Sequence, residues 1–335
     1  MRLTLLVVSR TPALLSRMLA SVAAATQLPY QDVEIICSWN GHAEDESRIT
    51  NGSGYEFTIA QRDSYHFAGN MNGLAAKARG EELLFINDDV VLDPGSIDAA
   101  LACIANSNST GMVGSRLRNE AGELTHAGIL FDSRHSPYHQ LDRLIASEHQ
   151  AISHRDMPIP ATTGALFLMR HEHFQALRFQ TDYKVCGEDV ELCLDLRERL
   201  GLNIVYCPSF SGVHASEATR SQTEGQDGNS EDMSRMRIRR KQFLDQATSQ
   251  QLADELFVEA LQAEVLRSVE LGRQRGERQQ QLLQASAPQQ QLLQQIKQLQ
   301  EELASWQGKC HSLQLTRLRL QQSLKQQQNN TSATL

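Results

Sequence analysis

The stretch LLFINDDVVLDP at residues 83–94 is an apolar run that ends abruptly in Asn87, Asp88 and Asp89 and then resumes. Two adjacent carboxylates repel each other, and burying either one without a partner costs free energy. Their surroundings should therefore supply a cation or strong hydrogen-bond donors, and a hard divalent metal ion is the natural candidate. The alternative is a simple turn before residues 93–95, because Asp is common in turns.

Apolar runs alternate with amphipathic segments in the part of the chain before residue 216. They are LTLLVVS at 3–9, LLSRMLASVAAA at 14–25, VEIICSW at 33–39, MNGLAAKA at 71–78 and ELLFIN at 82–87. This β-α alternation predicts an α/β, Rossmann-like fold: a mostly parallel sheet with helices on both faces. Such sheets bind ligands at the carboxyl ends of their strands, which favours the metal interpretation of Asp88 and Asp89.

Composition narrows the class of protein. The 335 residues suggest about two domains, and a net charge of -8 argues against nucleic acid as the main partner. No run of about twenty apolar residues is present, so no transmembrane helix is predicted. The apolar run at the N-terminus is too short for a signal peptide, so we expect a cytoplasmic protein, placed at the inner face of the membrane if its acceptor is lipid-linked.

The C-terminal third has a different pattern. Residues 216–234 are polar, 252–271 are strongly helical, and Pro288 precedes a heptad repeat. Its seam is Leu292, Ile296, Leu299, Leu303, Trp306, Cys310, Leu313, Arg317, Leu320 and Leu324. The pattern predicts a coiled coil that self-associates or docks a partner. A single amphipathic helix packed on the first domain is the alternative.

We expect five segments along the chain. They are a catalytic domain at 1–220, a polar linker with a basic segment at 221–250, a helix at 251–275, the coiled coil at 289–326 and a disordered tail at 327–335. The basic segment SRMRIRRKQ at 234–242 has two interpretations, a solvated helix face or a contact with anionic lipid or a lipid-linked diphosphate.

Five motifs occur in order within residues 1–220. They are INDD at 86–89, GELTHAG at 122–128, TTGALFLMR at 162–170, GEDVELCLDLRERLG at 187–201 and VHASEATR at 213–220. Together they resemble the family 2 glycosyltransferases of the GT-A fold, notably the bacterial subgroup that builds O-antigen and other surface polysaccharides. The resemblance implies transfer of a sugar from a nucleotide-diphosphate donor to a saccharide or lipid-linked acceptor.

The resemblance also assigns metal and catalytic roles. It implies Mn²⁺ or Mg²⁺ held by Asp89, with His214 completing the shell or touching the diphosphate. Asp189 matches the base that deprotonates the acceptor and inverts the anomeric centre, and Glu188 is a second candidate. A packed histidine is the alternative for His214, and a helix N-cap is the alternative for Glu188 and Asp189.

Donor and acceptor residues follow from the same resemblance. His126 and Gly164 are expected on the acceptor side, although a structural histidine is equally consistent at 126. Trp39 stands where many relatives carry an Asp that recognises the uridine base, so dTDP- and GDP-sugars are donor candidates beside UDP-sugars. Core packing is the ordinary role of a tryptophan and is the alternative for Trp39. The expected donor-binding residues are Ser9, Arg10, Trp39, Asn40, Asn70, Asn72 and Asp88.

Two other functions use the same residues. One is a GT-A domain that has lost activity and acts as a scaffold through its coil. The other is a sugar nucleotidyltransferase, which shares the sheet and the metal but usually has a Gly-rich, basic loop after its first strand. The segment SRTPALLSR at 9–17 does not supply such a loop.

Overall fold

The computed structural model describes residues 1–215, 230–284 and 289–332, with side chains described in these ranges except at 282–294 and 321–332. The predicted break at Pro288 and most of the predicted polar segment 216–234 lie outside the described residues. The described helices are α1 (Pro12–Ala25), α2 (Phe67–Ala75), α3 (Ser96–Ala105), α4 (His171–Leu177), α5 (Glu188–Arg199), α6 (Ser230–Gln246), α7 (Ser249–Gln284) and α8 (Gln289–Ser332).

Ten of the described strands form one sheet, and two short strands form a separate hairpin. The sheet strands are β1 (Leu3–Ser9), β2 (Val33–Trp39), β3 (Glu56–Gln61), β4 (Glu82–Asn87), β5 (Val90–Leu92), β6 (Thr110–Arg118), β7 (Leu124–His126), β10 (Met157–Ile159), β11 (Leu166–Arg170) and β12 (Asn203–His214). The hairpin consists of β8 (Ile129–Phe131) and β9 (Pro137–His139).

The main path of the sheet is β10-β12-β6-β11-β4-β1-β2-β3. The four strands at the β3 end are all parallel, whereas β11 runs antiparallel to both of its neighbours, β4 and β6. Strand β12 is parallel to β6 and antiparallel to the short strands β5 and β10. The order reverses between β1 and β4, which opens a crevice at their carboxyl ends.

Both faces of the sheet are covered, which explains why its strands are apolar at consecutive positions. Leu84 and Ile86 of β4 belong to one core, which includes residues of α1 and α3. Phe85 lies between them in sequence and therefore points to the opposite face. There its ring stacks on Phe167 at a centroid distance of 4.3 Å and packs against Phe174 of α4.

The chain divides into two compact units, Met1–Gln262 and Ala263–Leu335. In the second unit, α7 and α8 pack on each other: the guanidinium of Arg267 lies 4.7 Å from the centre of the Trp306 ring. Burial raises the pKa of the Cys310 thiol, and the nearby carboxylate of Glu264 adds to the effect. None of the helices in the described residues combines the length and the apolar character needed to span a membrane.

Candidate active site

Asp88, the first of the two adjacent aspartates, lies in the crevice between β1 and β4. Ser9 ends β1, and its hydroxyl donates a hydrogen bond of 2.6 Å to Oδ2 of Asp88, directly after β4. Burial raises the pKa of Asp88 to about 6, and the charge of Asp89 adds to this rise, while Ser9 and Arg10 oppose it. Ser9, Arg10 and Asp88 are therefore neighbours, and their roles toward a donor stay predictions.

Asp89 and His214 meet because β12 returns to the same edge of the sheet. His214, the last residue of β12, pairs with Val90, which follows Asp89 in the chain. Its Nε2 lies 3.2 Å from Oδ1 of Asp89, whose side chain is only 7% exposed. Within the described part of the chain, this oxygen accepts no hydrogen bond.

A buried carboxylate oxygen without a donor, next to an imidazole nitrogen, is costly in an apolar setting and suits a cation. Carboxylates are ligands that suit Mg²⁺ and Mn²⁺, and a histidine imidazole is a common metal ligand in proteins. Asp89 and His214 therefore fit the divalent metal ion that the sequence implies.

Asp189 is fixed at the start of α5 by backbone donors. Gly164 donates a 2.7 Å hydrogen bond to its Oδ2, and the N–H of Val190 lies 2.8 Å from its Oδ1. The preceding Gly187 has a φ of 113°, which side-chain-bearing residues rarely adopt. These two N–H donors hold the carboxylate of Asp189 in one orientation.

A cavity of about 320 Å³ brings these groups together. Its walls include Asp88 and Asp89 after β4, Glu188 and Asp189 at the start of α5, and His214. Asp142 adds a further carboxylate, so the cavity is strongly acidic around a few basic groups. An anionic ligand would be repelled here unless a cation accompanied it.

His126 and Gly164 line the same cavity. Burial lowers the pKa of His126 well below its usual range, and the charges of His139 and His214 add to this, so the ring is neutral. Its Nε2 lies 3.0 Å from the hydroxyl of Thr162, and its Nδ1 lies 2.9 Å from Nδ1 of His139. His126 is thus held in a fixed orientation at the cavity wall.

Other predicted donor residues make contacts within the protein, outside the cavity lining. Trp39 is buried in the core, and its indole N–H donates to the carbonyl of His42. Asn40 donates to the carbonyl of Asp63. Asn70 and Asn72 hold neighbouring loops through hydrogen bonds to the backbone at 64, 66 and 179. Their roles toward a donor stay predictions.

The structure adds cavity residues that sequence reasoning did not select. They are Tyr65, Phe67, His139, Asp142, Arg143 and Thr163. Thr163 lies directly before Gly164, so the TTGA motif was a usable signal. His139 had no such signal, because its spacing from His126 matches no periodic pattern and the hairpin of β8 and β9 brings the two together.

Comparison with known proteins gives the family of this fold and site. The family model described as Glycosyltransferase like family 2 matches residues 2–241. The chain belongs to this family. The predicted recognition of a family 2 glycosyltransferase is therefore confirmed.

Two relatives match part of this chain. The chain is 28% identical over 215 residues to the O-antigen biosynthesis protein RfbC of Myxococcus xanthus, a match that covers 62% of this chain and 17% of RfbC. It is 26% identical over 202 residues to the uncharacterised protein y4gI of Sinorhizobium fredii, covering 57% and 22% respectively. The chain thus spans about a fifth of the length of these relatives.

Among solved structures, the chain resembles the mannosyltransferase PcManGT of Pyrobaculum calidifontis, which was determined in complex with GDP-Man and Mn²⁺. The TM-score is 0.51 at 14% identity, covering 92% of this chain and 82% of the mannosyltransferase. This similarity concerns the fold, and it confirms the GT-A fold class predicted from the sequence.

Proposed function

We propose that this glycosyltransferase family member moves a sugar from a nucleotide-diphosphate donor to a hydroxyl of a saccharide or lipid-linked acceptor. The reaction depends on Mn²⁺ or Mg²⁺ and inverts the anomeric centre. The single observation that carries the proposal is that Asp89, His214 and Asp189 line one acidic cavity. The similarity to RfbC supports surface polysaccharide as the product class.

Charge supports the metal dependence. A nucleotide diphosphate is an anion, and the cavity wall carries the carboxylates of Asp88, Asp89, Glu188 and Asp189. Asp89 and His214 are the residues that would hold a divalent cation. Such a cation, when bound, supplies positive charge opposite the departing diphosphate.

The base is the second part of the proposal. Asp189 accepts the proton of the acceptor hydroxyl while the acceptor oxygen forms its bond to the anomeric carbon and the bond from that carbon to the diphosphate breaks. Attack opposite the leaving group inverts the anomeric centre. Gly164 and Val190 hold the carboxylate of Asp189 in one orientation, whereas Glu188 lines the same cavity as the second candidate.

We expect Asp89→Asn to weaken metal-dependent donor binding and turnover strongly, because a neutral amide is a weaker metal ligand than a carboxylate. The measurement is thermal shift and donor hydrolysis with UDP-, dTDP- and GDP-sugars, with and without Mn²⁺. GDP-mannose belongs in the panel because PcManGT was determined with it. Turnover should fall by at least about 100-fold, as expected when transition-state charge loses its stabilisation.

Asp245→Asn is the matched control, since Asp245 is an exposed carboxylate on α6 outside the cavity lining. It should leave the metal response unchanged. If no donor stabilises the wild-type protein with metal, the proposal fails and a scaffold role becomes the better account. If a nucleoside triphosphate and a sugar phosphate yield diphosphate instead, the protein is a nucleotidyltransferase.

A further inference from the structure

The carboxylate of Asp232, in the first turn of α6, binds a backbone segment outside its own helix. Its Oδ2 accepts hydrogen bonds from the N–H groups of Val185 at 2.7 Å, Lys184 at 3.1 Å and Cys186 at 3.2 Å. Asp232 is 3% exposed. Three consecutive backbone N–H groups that converge on one oxygen form an anion-binding concavity, and here the anion is a side chain of the same protein.

This backbone segment comes directly before the two acidic residues at the start of α5. Val185 lines the cavity itself, and Gly187 follows with its positive φ. Glu188 and Asp189 then open the helix. The positions of residues 184–186 therefore determine where the first turn of α5, with both carboxylates, lies in the cavity.

Two further contacts join the same elements at the surface. Glu231 pairs with Lys184 at 2.8 Å, and Arg235 pairs with Asp182 at 3.2 Å. All four side chains are well exposed, so solvent screens these pairs and each contributes little. The buried, charge-assisted hydrogen bonds of Asp232 are the stronger link.

Helix α6 is itself held against α5 by buried ion pairs. Arg240 of α6 and Arg197 of α5 both donate to the carboxylate of Glu255 in α7, and all three side chains are buried. Arg239 donates to Asp195 of α5 at 2.7 Å. Two arginines at the centre of the basic segment 234–242 thus form ion pairs within the protein, and they fix α6 next to the helix that it orients.

We propose that Asp232 is a positioning residue for the base: its carboxylate holds residues 184–186 so that Asp189 and Glu188 face the acceptor. The inference rests on the proposed function, because it assigns the base to the first turn of α5. Asp232 itself does not line the cavity. It acts through the backbone and leaves donor binding at Asp88 and Asp89 untouched.

The test compares Asp232→Ala, Asp232→Asn and the control Glu231→Gln. The Ala variant removes the acceptor of three N–H groups, and its kcat should fall on the order of 10- to 100-fold, with donor KM within about twofold, because misplacing the base affects only the chemical step. The Asn variant keeps one side-chain oxygen, so its kcat should lie between those of the Ala variant and wild type. Glu231→Gln removes the neighbouring negative charge and should match wild type.

Hydrogen exchange at the amides of residues 184–186 gives a second readout that needs no turnover. Both Asp232 variants should exchange faster in this segment, and Glu231→Gln should not. A wild-type kcat in a folded Asp232→Ala protein, or unchanged hydrogen exchange in both variants, would overturn the inference. If the Ala variant does not fold, the kcat and the exchange of the Asn variant decide the test. A wild-type protein without turnover would instead refute the proposed function, and the exchange data would still decide whether Asp232 orders the segment.

Discussion

At the scale of single residues, the carboxylates of the site differ in what their oxygens contact. Asp88 accepts a hydrogen bond from the hydroxyl of Ser9, and Asp189 accepts hydrogen bonds from the N–H groups of Gly164 and Val190. Oδ1 of Asp89, by contrast, accepts no hydrogen bond from the described residues. A carboxylate whose oxygens are engaged keeps its orientation, while one with an open oxygen keeps a position for a ligand. This contrast supports the proposed division between metal binding and proton transfer.

The contact between Gly164 and Asp189 yields a prediction. A Cβ at position 164 would lie 3.2 Å from Cβ of Asp189 and 3.4 Å from its Oδ2, so Gly164→Ala should push this carboxylate by a few tenths of an ångström. We expect turnover to fall roughly tenfold and stability to fall by about 1 kcal/mol. Donor turnover and thermal melting measure the two effects.

Gly272→Ala is the control substitution, because it makes the same change at a site where the added methyl group meets no neighbour. Gly272 lies in α7, and a Cβ there meets no described atom within 4 Å. This variant should keep full turnover and gain up to about 1 kcal/mol, because Ala is the better helix former. Equal turnover in the two variants would contradict the proposed role of the Gly164 contact.

The acidic residues that line the cavity, apart from Asp142, come from motifs visible in the sequence. INDD follows an apolar run, so its carboxylates could be placed at the carboxyl ends of the strands, whereas the role of GED was implied only by the resemblance to the family. The contact between His126 and His139 could not be predicted in the same way. Its geometry depends on the hairpin of β8 and β9, whose register no local pattern determines.

At the scale of elements, Glu34 links three neighbouring strands near their amino ends, opposite the carboxyl ends where Asp88 and Asp89 lie. Its carboxylate on β2 accepts hydrogen bonds from Thr4 on β1 at 2.7 Å and from Arg79, just before β4, at 2.6 Å. Burial acts to raise the pKa of Glu34, but these hydrogen bonds and the charge of Arg79 outweigh it, so the pKa lies below its ordinary value of 4.5.

A lowered folded-state pKa means that ionised Glu34 stabilises the fold above about pH 4.5 and that this contribution is lost as the pH falls through the folded pKa. Glu34→Gln should therefore lower the free energy of unfolding by about 1–2 kcal/mol at pH 7. The difference from wild type should shrink in acid. Urea unfolding at several pH values measures it.

Glu56→Gln is the control because Glu56 contacts the same Arg79 at 2.9 Å, but both side chains are about half exposed. Solvent screening leaves such a pair little weight, so its loss should cost under about 0.5 kcal/mol at any pH. If the free energy of unfolding of Glu34→Gln differed from that of wild type by a constant amount from pH 3 to pH 7, packing and not charge would account for the contribution of Glu34.

Element prediction succeeded where both faces of a strand are buried, as in β1, β2 and β4. It missed β3 at Glu56–Gln61, because this strand at the end of the sheet is only partly buried and carries few apolar residues. Helix α2 begins at Phe67, upstream of the amphipathic segment 71–78, because the ring of His66 accepts the N–H of Gly69 and caps the helix. A histidine cap is not among the usual start signals.

At the scale of the whole molecule, the predicted seam of α8 divides into two parts. Trp306 and Cys310 are partly buried by α7 of the same unit. Leu313 and Leu320, one heptad apart, are 61% and 60% exposed. Exposed leucines at heptad spacing are the pattern of a helix that associates with another chain.

We propose that the Leu313 end of α8 mediates self-association, and we expect Leu313→Glu with Leu320→Glu to shift the chain toward monomer. Sedimentation velocity over a range of concentrations measures this, with at least a tenfold weaker dimer expected from two lost apolar contacts. The pair Leu315→Glu with Leu318→Glu is the control, because both leucines are exposed but lie off the seam. A wild-type chain that is monomeric at every concentration would refute the proposal.

The position of β11 has a consequence for the order in which the chain folds during synthesis. This strand lies between β4 and β6 although it follows both in sequence. A nascent chain that has reached β10 can form the parallel β3-β2-β1-β4 half, but β4 and β6 then expose unpaired edges. Such edges pair readily with other chains, so we expect the nascent protein to need protection from aggregation until residue 170 has left the ribosome.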